Sequence, residues 1–432
     1  MTTDLATVKK ECLPALETTL EDNVLDFWFP RCIDEDGGGF LTSYDVEGEF
    51  AGNGNKQIVT QARMVWLTAR LAREGFDDAF DEDYLAIADH GMAFLLEEMW
   101  DDENGGFVWE VERDGTTSKP NRHLYGQSFG LYALSEYARA AETADAGEYS
   151  TEAADYAHEL VDLIDEHAKD EDHGGYVEYF TAEWEPITTG QTYLENIEPD
   201  WSPKESGGSV LDPTLKLMNT HLHLMEAFTT YYEAFETETG RRRLHELLDI
   251  NTNTVYRKKR GFCTDKYDPD WTPKLDDEEF RIVSYGHDLE DVWLAMEAAD
   301  ALELSTDLFM ELFETLWDYS LEYGYDHEHG GFYFYGGFDE PASFRVKAWW
   351  VQAECMTSAL RTYERTGDDR YLDVFRETWD FIQQYHVDGE YGEWHSGVDE
   401  DLQPVGRKGA VYKGAYHNGR ALLECIAALE RL

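Results

Sequence analysis

Basic residues are scarce in this chain. Of 432 residues only 35 are Lys or Arg, against 91 Asp and Glu, giving a formal charge of −56 at pH 7. A field of that sign repels phosphate backbones and anionic lipid headgroups, which excludes nucleic-acid and membrane partners. Cysteine is scarcer still. Cys12, Cys32, Cys263, Cys355 and Cys425 contain no CxxC pair and are odd in number. That argues against a metal cluster or a disulfide framework, and a reducing cytoplasm is the expected compartment. No run approaches the roughly 18 apolar residues of a membrane span. The N-terminal stretch Met1 to Phe29 has no twin arginine and no unbroken apolar core, so an amphipathic helix is expected there, not a signal peptide.

What is plentiful is apolar and aromatic: 42% hydrophobic and 14% aromatic residues supply a large core and do not suit a disordered chain. The acidic excess therefore belongs on the surface. There it keeps the protein hydrated, but its self-repulsion opposes the compact state until salt screens it, so a salt-requiring protein is expected.

A short motif recurs. "DENGGFVWEVERDG" at Asp102 has counterparts in "DEDGGGFLTSYDVEG" at Asp34, "DEDHGGYVEYF" at Asp170, "KKRGFCTDKYD" at Lys258, "DHEHGGFYFYGGFDE" at Asp326 and "GEYGEWHSGVDED" at Gly389. The residue before each aromatic falls at 39, 106, 175, 261, 331 and 393, at intervals of 67, 69, 86, 70 and 62 residues. Between these marks, apolar residues recur at spacings of three and four, in two helical stretches per interval. The unit is hairpin, helix, turn, helix. Six such units predict an all-α (α/α)6 barrel with short β-hairpins at one rim, occupying residues 1–432 as a single catalytic domain. An open solenoid is the rival, although its repeats usually run to only about 20 to 50 residues. The Gly-Gly pairs supply turns with positive φ, and the alternation after them predicts a small two-stranded excursion. The acidic residues of these hairpins are expected to be a solvated rim.

If the ring closes, the hairpins wall a funnel floored by the first turns of the inner helices. Residues three and four apart share a face, so polar sets should point inward together. The sets are Lys56, Thr60 and Arg63; Arg122 or Tyr125 with Phe129; Asn219, His223 and Glu226; His287, Glu290 and Asp291; Lys347, Trp350 and Glu354; Lys413, His417 and Arg420. His221 and His223 cannot both face the centre, and His223 aligns with Asn219 and Glu226. Three histidines in corresponding positions, among buried Arg, Glu and Asn, imply a polar ligand or chemistry. Trp349 or Trp350 offers a flat face for a sugar ring. The H-x-H of "DHEHGG" (His327, His329) lies in a hairpin and is read as a turn, not a metal site.

"NTHLHLMEA", "SYGHDLE", "WWVQAE" and "YHNGR", in this order on such a repeat, resemble the N-acylglucosamine 2-epimerase superfamily and most of all its cellobiose 2-epimerase branch. The resemblance spans about Lys56 to Arg420. It implies no cofactor and no metal, a sugar as the small-molecule substrate, and proton exchange with an open-chain sugar by His287 and His417. It places Arg63, Tyr125, Asn219, His223 and Glu290 in the active site. Glu226, Trp349, Trp350 and Glu354 join them as substrate-binding candidates from their spacing. C2 epimerisation needs two bases on opposite faces of a cis-enediolate, and imidazole, with a reference pKa of about 6.5, lets one start neutral and the other protonated. Arg63 then stabilises the enediolate, Glu290 orients His287 and His223 assists ring opening. The competing expectations are a mannose–fructose isomerase of the same superfamily, a glycoside hydrolase using paired carboxylates, and a non-catalytic carbohydrate-binding barrel. The protein is expected to be a monomer or homodimer. The 86-residue interval holds an insertion, "ENIEPDWSPKESGGSVLDPT", placed beside the pocket.

Overall fold

The computed structural model describes residues 4–76, 83–188, 213–276 and 278–432, so residues 195–212 of the insertion lie outside the described residues. Among the described residues, twelve helices of eleven or more residues alternate between two layers. The outer layer is α1 (Leu5–Thr18), α3 (Tyr84–Phe94), α5 (Ser150–Leu163), α7 (Glu238–Asp249), α9 (Met310–Tyr323) and α11 (Asp369–Phe381). The inner layer is α2 (Ile58–Glu74), α4 (Leu124–Ala144), α6 (Met218–Phe235), α8 (Tyr285–Ala301), α10 (Trp349–Thr366) and α12 (Tyr416–Arg431). Each inner helix packs on the next, and α12 returns to α2. That closing contact makes an (α/α)6 barrel and excludes the open solenoid. No helix among the described residues is long and apolar enough to cross a membrane.

The two layers differ as their sequences require. Outer helices are one-sided: α11 buries Tyr371, Leu372, Phe375 and Trp379 at helical spacing, and Asp368 caps its start by accepting from the Arg370 N–H. Inner helices are enclosed on all sides, and α2 is buried without a break from Ile58 to Ala69. Any polar side chain on an inner helix must therefore find a partner. Gly75 (φ 81°) ends α2 and Gly367 (φ 65°) ends α10, each in the left-handed conformation that closes a helix.

The hairpins follow outer helices and feed inner ones, as expected, but their strands pair differently. The residues entering each inner helix pair with the following hairpin: Lys56–Gln57 with Glu110–Val111, Arg122–His123 with Tyr179–Phe180, and Lys347–Ala348 with Gly397–Val398. A bridge from Tyr44 to Gly409 joins the first hairpin to the last repeat. Pairing between neighbours satisfies edge groups that an isolated hairpin would leave open, and it binds the rim into a ring.

The acidic rim is only partly solvated. The leading Asp of each typical hairpin is an anchor. Asp101 Oδ1 accepts from the N–H groups of Glu103 and Asn104 at 3.0 and 3.3 Å, and Asp170, Asp326 and Asp388 repeat the turn. Its second oxygen meets a buried cation from the entry to the inner helix: Lys56 with Asp34 (3.0 Å), Arg122 with Asp101 (2.6 Å), Lys216 with Asp170 (2.6 Å) and Lys347 with Asp326 (2.7 Å). These cations also bond hairpin carbonyls, as Lys347 does to Gly330 O at 2.6 Å. In the last repeat Lys408 holds Asp388 at 2.6 Å and Lys413 holds Glu393 at 2.7 Å. Lys56, Arg122, Lys347 and Lys413 therefore secure the rim and do not floor the funnel. Five residues further on, Gln61, Gln127 and Gln352 each bond both the N–H and the C=O of the hairpin aromatic, Phe40, Phe107 or Phe332. His221 takes the same place, accepting from the Tyr176 N–H at 3.0 Å, which is why it turns away from the centre.

Candidate active site

These anchors set the register of the barrel interior. The residues one before and two after each anchoring side chain face the axis. The first position holds His287 and His417; the second holds Arg63, Phe129, His223, Glu290, Glu354 and Arg420. His287 and His417 thus correspond to each other, while His223 stands three residues further along its helix. All six inner helices contribute to one cavity of about 320 Å³, within the range of about 300–1,000 Å³ common for small-molecule sites. Arg63, Tyr125, Asn219, His223, His287, Glu290, Trp349, Trp350 and His417 line it.

Beneath the cavity lies a charge cluster that the sequence reading did not assemble. Arg420 is fully buried and donates to three carboxylates from three helices: Glu226 of α6, Glu354 of α10 at 2.8 Å and Glu290 of α8 at 3.1 Å. Two of these acids hold a histidine. His223 Nδ1 is 2.8 Å from Glu226 Oε2, and His417 Nδ1 is 2.6 Å from Glu354 Oε1. Glu354 also accepts from the Trp293 indole at 3.1 Å, and Glu226 from the Tyr416 hydroxyl at 2.8 Å. Each acid fixes Nδ1 as the protonated nitrogen of its histidine, which leaves Nε2 the free, basic one. Glu226 and Glu354 do not line the cavity. They sit one layer down because Arg420 and the imidazoles occupy their oxygens. Ligand-type atoms of Glu290, Glu354 and His417 lie within 4.8 Å of one another, but the Arg420 guanidinium already bonds both carboxylates.

Burial governs the titration of these groups. Desolvation brings His287 down to about 4, against the pull of Asp265, and the neighbouring His223 and Lys266 further disfavour its protonation. Desolvation also lowers His417 strongly, helped by Arg63 and Arg420, and lowers His223 despite Glu226. All three imidazoles are neutral at pH 7, and the expected neutral–protonated pair is not present in the free cavity. Glu226, although burial opposes it, is held at about 2 by Arg420 and His223. Glu290 goes the other way: burial and the neighbouring Glu354 raise it well above the carboxylate range. Burial raises Glu354 as well, against the pull of Arg420, so the two neighbouring acids both hold protons more tightly than a free carboxylate does. Glu290 accepts from Arg420 and not from His287, whose ring leans on Trp350 with centroids 4.7 Å apart. The same Trp350 ring is 5.9 Å from His417.

The cavity wall is ready for a polar guest. Asn219 Oδ1 and Thr220 Oγ1 are buried without a hydrogen-bond partner among the described residues. Arg63 donates to the Tyr125 hydroxyl at 3.1 Å and lies over the Phe129 ring at 4.2 Å, which fixes the guanidinium at the wall.

The family model of N-acylglucosamine 2-epimerase (GlcNAc 2-epimerase) matches residues 38–198 and 188–421. The chain belongs to the N-acylglucosamine 2-epimerase family. A cellobiose 2-epimerase of Dictyoglomus turgidum is 28% identical over 438 residues, covering 98% of this chain and 99% of the relative. The solved cellobiose 2-epimerase of Bacillus thermoamylovorans B4167 superposes with a TM-score of 0.82 at 28% identity, covering 97% of this chain and 99% of its own. A D-mannose isomerase of Marinomonas mediterranea is 23% identical over 428 residues, covering 96% and 97%. This member of the family is a carbohydrate isomerase of the epimerase kind.

Of the eleven residues expected at the site of this epimerase-family protein, nine meet at the cavity and two, Glu226 and Glu354, underlie it. His123, Phe334 and Tyr412 stand in the wall without having been expected there, while Arg420, expected to face the funnel floor, lies beneath the cavity. His123 and Tyr412 precede their helices, where 3.6-residue periodicity gives no signal. Arg420 carried one: it stands two residues after Asn418, as Arg63 stands two after Gln61.

Proposed function

We propose that the protein interconverts the C2 epimers of a reducing glucose or mannose residue, with His287 and His417 as its acid–base pair. The observation that carries this reading is that two imidazoles, brought by α8 and α12 and both lowered by burial, lie beside one tryptophan ring in a single cavity. After the sugar ring opens, with O1 losing its proton and the ring oxygen gaining one, an imidazole removes the C2 proton. The electron pair forms the C1–C2 double bond, and O1 takes up the negative charge near Arg63. In this reading Glu290, close to His417 and raised in proton affinity by burial, gives that imidazole a proton as the enediolate develops, and His417 delivers a proton to the opposite face of C2. His287, neutral down to about pH 4, is then the base for one epimer, and His417 is the base for the reverse direction. His223 offers Nε2 for ring opening. Trp349 and Trp350 supply the apolar face, and the cavity volume suits one sugar ring, with a second ring of a cellobiose-type substrate directed to the mouth.

The second reading is aldose–ketose isomerisation, favoured by the similarity to a D-mannose isomerase over almost the whole chain. It shares the enediolate but returns the proton to C1. Incubating mannose, glucose and cellobiose with the protein in D2O at high salt, and separating the products, decides between them. An aldose epimer deuterated at C2 supports epimerisation; fructose from mannose supports the rival. Full C2 exchange by a folded His287→Ala or His417→Ala protein would overturn the assigned pair.

A further inference from the structure

The fourth hairpin breaks the repeat on both sides of its anchor. Where the other five begin with Asp34, Asp101, Asp170, Asp326 and Asp388, it begins with Arg257; where the paired cation belongs, five residues before Asp288, it has Val283. The double exchange leaves Arg257, Lys258, Lys259 and Arg260 in a row at a rim position that is acidic in the other repeats. Little of this charge is neutralised. Among the described residues the run makes one ion pair, Arg260 with Asp339 at 2.7 Å, and both partners are about half exposed. Arg257 donates to the carbonyls of Val255 and Thr254, and Lys258 to Asn253 Oδ1 at 3.1 Å. Arg281 adds a fifth cation, with no ion pair among the described residues.

These cations surround a cavity of about 550 Å³ floored by Phe262, Leu275 and Phe338. The guanidinium carbons of Arg260 and Arg281 lie 5.6 and 5.7 Å from the Phe338 ring centroid, and the Phe262 and Phe338 rings are 4.6 Å apart. An arginine laid over a ring keeps its in-plane donors available, and two such forks with a lysine match a tetrahedral oxyanion better than a single carboxylate.

We propose that this groove is a binding site for a phosphate group, either free or as a monoester whose organic part rests on the aromatic floor. The −56 charge of the chain does not forbid it. At the salt concentration such a surface calls for, the screening length falls to about 3 Å at 1 M, which removes the distant carboxylates from the balance and leaves the groups in contact with the anion. The groove is concave and of small-molecule size, so a compact anion fits it better than an acidic protein face.

The test is calorimetric titration of the full chain with inorganic phosphate and with phenyl phosphate at fixed high KCl, on the native protein and on Lys259→Gln/Arg281→Gln. Both positions are exposed, so unchanged thermal unfolding should certify the variant. Saturable one-to-one binding, weakened by about tenfold or more when two charge-assisted contacts are removed, is the expected result. Tighter binding of phenyl phosphate than of phosphate identifies a monoester as the ligand, and equal binding identifies the phosphate group alone. Absence of saturable binding, or equal affinity in the double variant, overturns the proposal. An acidic polypeptide that binds this face while neither phosphate probe does would also overturn it. His287→Ala should leave phosphate binding intact, which keeps this outcome separate from that of the sugar site.

Discussion

His417 Nδ1 lies 2.6 Å from Glu354 Oε1, a contact between α12 and α10 that bridges 63 residues of sequence and is shut away from solvent. It fixes the tautomer and the direction of an imidazole that serves the cavity, and it ties that imidazole to Arg420 through a shared oxygen. Glu354→Gln keeps the shape but removes the negative charge that Nδ1–H points to. The expected outcome is a fall in kcat for C2 proton exchange of about 10²–10⁴-fold with a much smaller change in KM, by analogy with other orienting acids. Steady-state kinetics together with circular dichroism checks it, and an unchanged kcat would remove Glu354 from the catalytic network.

Arg420 is a matter of stability as well as orientation. Arg420→Met strands three buried carboxylates, and loss of one partner from a buried ion pair costs about 3–5 kcal/mol. Denaturant unfolding should show a loss of at least that size. Arg420→Lys keeps the charge but cannot reach Glu226, Glu290 and Glu354 with one fork, so it should recover only part of the stability and little of the activity.

The pH dependence has a defined sign. His287 is lowered to about 4, so below pH 6.5 the unfolded chain binds a proton that the folded one refuses. Stability is fully present above about pH 6.5 and is lost as pH falls toward 4, with His417 and His223 acting in the same direction. Glu226, held at about 2, contributes stability above about pH 4.5 that disappears as pH falls toward 2. Glu290 opposes both, since its raised affinity for a proton favours the folded state at low pH and loses that effect as pH rises. The free energy of unfolding measured from pH 7 to 4 should therefore decline, and His287→Asn should flatten the decline. The acid limb of kcat/KM should have its midpoint near 4; a midpoint at 6.5 would contradict a desolvated base.

Rim anchoring can be tested away from the chemistry. Lys347→Met takes from Asp326 its buried cation, leaving it the His329 imidazole and two backbone N–H groups, and it removes the donor to Gly330 O. A destabilisation of about 3–5 kcal/mol is expected. Activity per folded molecule should fall far less than in Glu354→Gln, because Lys347 bonds rim groups, whereas Glu354 holds His417 and Arg420 directly.

The acidic surface predicts salt dependence. With 91 acidic residues against 35 basic, the midpoint of thermal unfolding should rise steadily as KCl is raised from low to molar concentration. Calorimetry at fixed pH tests this, and a midpoint independent of KCl would show that the surface charges are already compensated.

The sequence by itself determined the barrel and most of the cavity wall. Six recurrences of a Gly-aromatic hairpin fix the number of units, helical periodicity between them fixes two helices per unit, and three-and-four spacing brings Arg63, Asn219, His223, His287, Glu290 and His417 to inner faces. These signals are local, and local signals survive in a sequence. What only the tertiary structure decided depends on partners far apart in the chain. Lys56, Lys347 and Lys413 share the polar character of the inner residues, yet each turns to a hairpin acid about twenty residues away and secures the rim. Arg420 meets Glu226, Glu290 and Glu354 across 194, 130 and 66 residues, and no periodicity announces that three helices will aim their carboxylates at one guanidinium. That convergence lowers the imidazoles and raises Glu290, because the charge balance of a buried site belongs to all the groups that the fold packs together.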